Sequence, residues 1–169
     1  KKQGNNLSCA DFTCDASKFV VAGQDRKVYV YDEETSQMQF SMCGKNMKMP
    51  GHQNRISAIK CHPTDPNLLV TASWDKCIKI YDIRQQVPIA SMFGPLVQGD
   101  ALDIFGDQII TGSGRNKDVL QKFSISKKCM TNSFSFSGYK NDPDSGFALI
   151  TKFSKDGSHI FCGGAGKND

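Results

Sequence analysis

The feature that most restricts this chain is a recurring phrase. Residues 70–82 read VTASWDKCIKIYD and residues 21–32 read VAGQDRKVYVYD. In each, an apolar run ends on small residues. A short polar turn follows and holds an acid, Asp75 or Asp25. A second apolar run then closes on an aromatic and an acid, Tyr81-Asp82 or Tyr31-Asp32. Short runs rich in Val, Ile and Tyr between turn residues are strands. Stacking the chain on its turn acids gives four segments, 7–42, 55–93, 99–136 and 146–169, with Asp25, Asp75, Asp118 and Asp169 at equivalent places. The acids recur about every forty to fifty residues, the signature of a repeat architecture.

Each unit reads as four short strands. In the second they are expected near 55–61, 67–73, 77–83 and 87–93, separated by Pro63-Thr64-Asp65-Pro66-Asn67, Trp74-Asp75-Lys76 and Arg84-Gln85-Gln86. Lys155-Asp156-Gly157 carries the Asp-Gly hairpin signal in the fourth. No stretch has a helical apolar period, so the expected class is all-β. Val20, Val21, Val28, Val30, Ile56, Ile59, Leu69, Val70, Ile78, Ile80, Ile109, Ile110 and Ile160 are the expected core.

Composition narrows the function classes. Hydrophobic content of 38% against 22% charged residues is that of a globular chain. The net charge of +4 is scattered, without the dense basic stripe of a nucleic-acid face. No apolar run reaches the ~20 residues of a membrane helix, and the first residues, KKQGNNLS, lack the apolar stretch of a signal peptide. Seven cysteines, with no CxxC, fit reduced thiols inside strands rather than a disulfide framework. With three histidines and no ligand spacing, neither a metal nor another cofactor is expected. No nucleophile elbow, phosphate-cradling loop or carboxylate pair is present. The GGAGKND stretch has the wrong spacing for a phosphate loop. The chain reads as non-enzymatic.

The period, four strands per unit, Gly51-His52 before the first strand, the turn Asp and the aromatic-Asp ending together resemble the WD40 repeat family. The likeness is strongest in the second segment and good in the first. Phe123-Ser124 replaces aromatic-Asp in the third, and the fourth lacks its third strand. The resemblance implies a WD40-type β-propeller: one domain over 1–169, with blades at 7–43, 52–94 and 98–138 and an incomplete one at 146–169. It implies a partial arc of about three and a half blades, cut from a ring of seven or more. It also implies a structural network of His52, Asp75, Thr71 or Ser73, and Tyr81 in the family's Trp position, with Asp25 and Asp118 as the corresponding turn acids.

The resemblance places partner contacts just before the turn acid, at the start of the first strand and two residues earlier. These are Trp74, Arg55 and Gln53 in the second segment, Gln24 and Asn6 in the first, and Lys117 and Gln98 in the third. Arg55 beside Trp74 offers a cation–π pair or a carboxylate grip. The loop 43–52, with Met47, Met49, Lys45 and Lys48, reads as a binding surface or as a lid on its own blade. Residues 137–145 read as a solvated loop. The function implied is a protein–protein interaction scaffold within a multi-subunit complex, cytoplasmic, without a small-molecule substrate, nucleic acid or membrane insertion. The alternative is a permanent structural part of a large cytoskeletal or ciliary (axonemal) assembly.

Overall fold

A computed structural model of the chain describes residues 5–44, 49–115, 118–134 and 147–165. Lys117, Asp169, Lys45, Met47, Lys48 and the loop 137–145 lie outside them. Among the described residues the structure is all strand, in three four-stranded antiparallel sheets and one two-stranded sheet, each strand beside the next in sequence. The first sheet holds β1 (Leu7–Phe12), β2 (Lys18–Gly23), β3 (Val28–Asp32) and β4 (Met38–Met42). The second holds β5 (Ile56–Cys61), β6 (Leu68–Ser73), β7 (Cys77–Asp82) and β8 (Val87–Phe93). The third holds β9 (Leu102–Phe105), β10 (Gln108–Gly112), β11 (Leu120–Ser124) and β12 (Cys129–Phe134). The last pairs β13 (Phe147–Phe153) with β14 (Ile160–Ala165).

The sheets stack face to face. Val20, Val28 and Val30 of the first meet Ile59, Leu69 and Tyr81 of the second. The opposite face of the second, with Val70, Ile78 and Ile80, meets Leu102, Ile109 and Phe123. Ile110 and Leu120 then meet Ala148, with Ile160 packed at the margin. Burying such side chains on both faces of a sheet stabilises by about 1.5–3 kcal/mol each. The outer faces of the stack carry apolar side chains too. Phe19 stacks on Tyr31 at 4.9 Å, and Phe12, 57% exposed, leans on Phe19. At the other end Ile150 and Phe161 are 53% and 63% exposed.

The first strands of the four sheets, β1, β5, β9 and β13, are neighbours in space. Register aligns Asp11, Lys60, Asp103 and Lys152 at one level of them, so the sign of charge alternates from sheet to sheet. Each acid also ties its sheet to the next. Cys61 N–H donates to Asp11 Oδ2 and Phe153 N–H to Asp103 Oδ2, both at 2.8 Å. Asp100 lies between the two lysines, 3.7 Å from Lys60 Nζ and 2.9 Å from Lys152 Nζ. A bulge in β1 and another in β5 re-aim Ser8 and Ser57. Their hydroxyls donate to Ile56 O and Val97 O of the following unit.

Candidate functional site

The β6–β7 turn sets the geometry of the second sheet's rim. Lys76 adopts φ 66° and its N–H closes onto Ser73 O, which leaves Trp74 pointing outward and Asp75 inward. Asp75 Oδ2 accepts His52 Nδ1–H and Gln53 N–H, both at 2.8 Å, and Asp75 Oδ1 accepts Cys77 N–H at 3.0 Å. Burial pushes the His52 imidazole below its ordinary value, so it is neutral. With its proton on Nδ1 facing Asp75, its Nε2 accepts the Thr71 hydroxyl at 2.7 Å. Burial opposes ionisation of Asp75, but the hydrogen bond from His52 prevails and holds the carboxyl below the usual range.

Of the residues expected in this network, Thr71 joins directly. Ser73 supports it from the side: its hydroxyl donates to Asn54 O and accepts Asp75 N–H. The expectation for Tyr81 is corrected. The ring is fully buried in the core, but among the described residues its hydroxyl has no hydrogen-bond partner. The Tyr81 side chain fills the core and does not extend the His52–Asp75–Thr71 network. Tyr81→Phe therefore removes a hydroxyl that stabilises nothing, and thermal melts should find the variant as stable as wild type or up to about 1 kcal/mol better.

Asp25 works without a histidine. It accepts the Tyr29 hydroxyl and Lys27 N–H, and Asn5 Oδ1 holds its own N–H. The bond to Asp25 pushes the Tyr29 phenol up to about 12. Asp118 is a second correction. Its φ of 55° and its place one residue before Val119, whose carbonyl accepts Ser113 N–H, match Lys76 and Arg26, not Asp75. It is exposed and, among the described residues, belongs to no buried network. Arg115 stands where Asp75 stands when counted from β10, since its N–H meets Ser113 Oγ as Asp75 N–H meets Ser73 Oγ.

The missing aromatic-Asp of the third unit is compensated from another strand. In β7 Asp82 accepts Arg84 N–H and the Arg84 guanidinium, which holds it low. In the third sheet Asp107 reaches over from the β9–β10 turn. It accepts the Ser124 hydroxyl and Ser126 N–H, the latter at 2.7 Å.

Trp74 is 37% exposed, and the Arg55 guanidinium lies 3.9 Å from its ring centroid. Trp74 N–H donates to Arg55 O, so one strand pairing fixes both. Gln53 is exposed beside them, its amide on Gly51 O. Gln24 holds the Trp74 place in the first sheet and accepts from Asn6 at 3.3 Å. Gln98 lies with its side-chain amide against Gly114. Sequence reasoning missed Phe93. It ends β8 on the outward phase, 68% exposed, and Arg115 of the third unit sits 5.8 Å above its ring. The available signal was the strand's alternation, which puts Phe93 with Ser91 and away from Ala90 and Met92.

The pH dependence of the His52 site follows from its geometry. Unfolded His52 takes up a proton below about pH 6.5, whereas the buried imidazole resists it. Stability is therefore full above that value and falls as the solution is acidified below it. Asp75 adds a second loss below about pH 3.8. Denaturant titrations between pH 7 and 5 should show a fall in stability that His52→Asn flattens.

Comparison with known proteins adds four similarities, one to a family model and three to individual proteins. Residues 43–82 match the family model described as WD domain, G-beta repeat. The chain is 26% identical over 154 residues to WD repeat-containing protein 1 of Gallus gallus, covering 88% of this chain and 21% of that protein. It is 30% identical over 96 residues to the Poly(A)+ RNA export protein of Schizosaccharomyces pombe, and 28% over 79 residues to the U5 small nuclear ribonucleoprotein 40 kDa protein of Dictyostelium discoideum. These cover 55% and 47% of this chain, and 24% and 20% of those proteins. The chain thus spans between a fifth and a quarter of the length of these relatives.

Proposed function

Since this chain is a WD40-repeat protein built of consecutive propeller blades, we propose that it is a non-enzymatic docking platform. Its partner is another protein, and the contact is the rim that carries Arg55, Trp74 and Gln53. The observation that carries this reading is the Arg55–Trp74 stack. A large ring more than a third exposed, with a guanidinium stacked on it, suits a contact surface, and Trp and Arg dominate interface energies. Gln24 and Asn6 extend the surface onto the first blade; Lys117, expected to contribute on the third, lies outside the described residues. The network of His52, Asp75 and Thr71 is mortar: it fixes the turn that presents Trp74. Burial lifts the Cys61 thiol to about 12 and Cys9 to about 11, which suits packing rather than nucleophilic chemistry.

The apolar outer faces around Phe12 and Phe161 support a larger propeller, with further blades of the same domain covering them. The seven free cysteines fit a reducing compartment, cytoplasmic or nuclear. Relatives named for a small nuclear ribonucleoprotein and for RNA export favour membership of a multi-subunit complex.

The test is a cross-linked pull-down from the source cell with the full-length protein. Wild type is compared with a Trp74→Ala, Arg55→Glu variant whose circular dichroism matches it. Loss of a discrete partner from the variant supports the platform. Recovery of the same partners with both proteins refutes the rim as the contact.

A further inference from the structure

Two arginine-over-aromatic pairs lie on the same edge of the arc. Arg55 covers Trp74 within the second blade, at the start of β5 and in the β6–β7 turn. Arg115, from the turn after β10 in the third blade, stands 5.8 Å from the ring centroid of Phe93 at the end of β8 in the second, which stays exposed. Gly94 N–H donates to Lys76 O, which brings the end of β8 against the turn that holds Trp74. The second pair bridges the seam between blades, so the two form a stripe running outward from the Trp74 turn. Among the described residues neither guanidinium donates a hydrogen bond, and neither joins an ion pair. The Arg55 guanidinium, 3.9 Å from its ring centroid, is stacked and so partly ordered before any partner arrives, and Arg115 stands further off from the Phe93 centroid. Two guanidinium groups without an acid of their own among the described residues, beside exposed aromatic rings, favour a planar anionic partner.

Resting on the rim reading above, we infer that this stripe binds an acidic peptide segment. Two of its carboxylates would take the Arg55 and Arg115 forks, and an apolar residue between them would cover the Phe93 ring. Acids already on the rim decide against a polynucleotide. Asp118 is exposed on the Arg115 loop, and Asp25, part-buried, occupies the matching turn of the first blade. A continuous phosphate chain would have to pass both, whereas discrete carboxylates on a peptide can be spaced between them.

The test uses the full-length protein and fluorescence anisotropy of three labelled probes. These are a short peptide alternating leucine with aspartate and glutamate, its asparagine and glutamine analogue, and single-stranded oligo-dT. The acidic peptide should bind saturably and weaken with salt, and the amide analogue should not bind. Arg115→Gln and Phe93→Ser, both at rim positions outside the core, should each weaken the peptide by about tenfold or more. Equal binding of the amide analogue, undiminished binding by both variants, or preference for oligo-dT overturns the inference. A Trp74-dependent partner in the pull-down together with no peptide binding also overturns it, while leaving the platform standing. Peptide binding that depends on Arg115, with no Trp74-dependent partner, supports the stripe and removes the platform.

Discussion

Asp75→Ala should destabilise the protein by about 2–4 kcal/mol, the larger of two expected losses for single substitutions on the second blade's rim. The carboxylate accepts three N–H groups, from His52, Gln53 and Cys77. His52 is buried, so its Nδ1–H has no water to turn to once the acid is gone. The loss then spreads through the imidazole to Thr71, whose hydroxyl needs a fixed Nε2 to point at. Asp75→Asn keeps one acceptor oxygen in place and should cost roughly half as much. Urea denaturation of the three proteins measures the difference. An Ala variant within about 0.5 kcal/mol of wild type would mean that the network does not hold the turn.

Phe123→Ala should cost about 3–5 kcal/mol, from lost burial and from the cavity left between the second and third blades. The ring is fully buried among Ile78, Ile80, Leu102 and Ile109, with Gly94 close against its edge. The same register place in the second blade belongs to Tyr81. Phe123 has the shape without the hydroxyl, so the third blade avoids the orphaned polar atom of the second. Differential scanning calorimetry should show a lower melting temperature for Phe123→Ala. If a separate early transition appears, the seam between those blades is where cooperativity breaks.

The strand pattern was legible because period-two alternation and turn residues are local signals. The residues read as core from Val20 to Ile110 are buried, and Ile160 only partly. The all-β class and the WD40 likeness followed from the same signals. The His52–Asp75 contact was readable only through the resemblance, since nothing local says that residues so far apart meet. Aligning acids by letter misplaced Asp118. The third turn is two residues longer than the second, and its equivalences are set by the left-handed residue and the Ser113 hydroxyl, which a letter alignment does not weigh. Asp107 was missed for a related reason. A carboxylate moved from the end of one strand to a turn on another serves the same backbone N–H, and only the folded register shows it.

The alternating charges on the inner strands have a consequence for how the chain finds its fold. Tandem units of similar shape are prone to dock out of order, and such traps slow assembly and feed aggregation. Here skipping a unit is penalised. Closing the first blade on the third would set Asp11 against Asp103, and closing the second on the fourth would bring Lys60 to Lys152 without Asp100 held between them. Each wrong closure buries like charges and leaves the N–H of Cys61 or Phe153 without its carboxylate. The inner strands thus act as an address system: a nearly repetitive chain carries, one residue per unit, the order in which its parts belong.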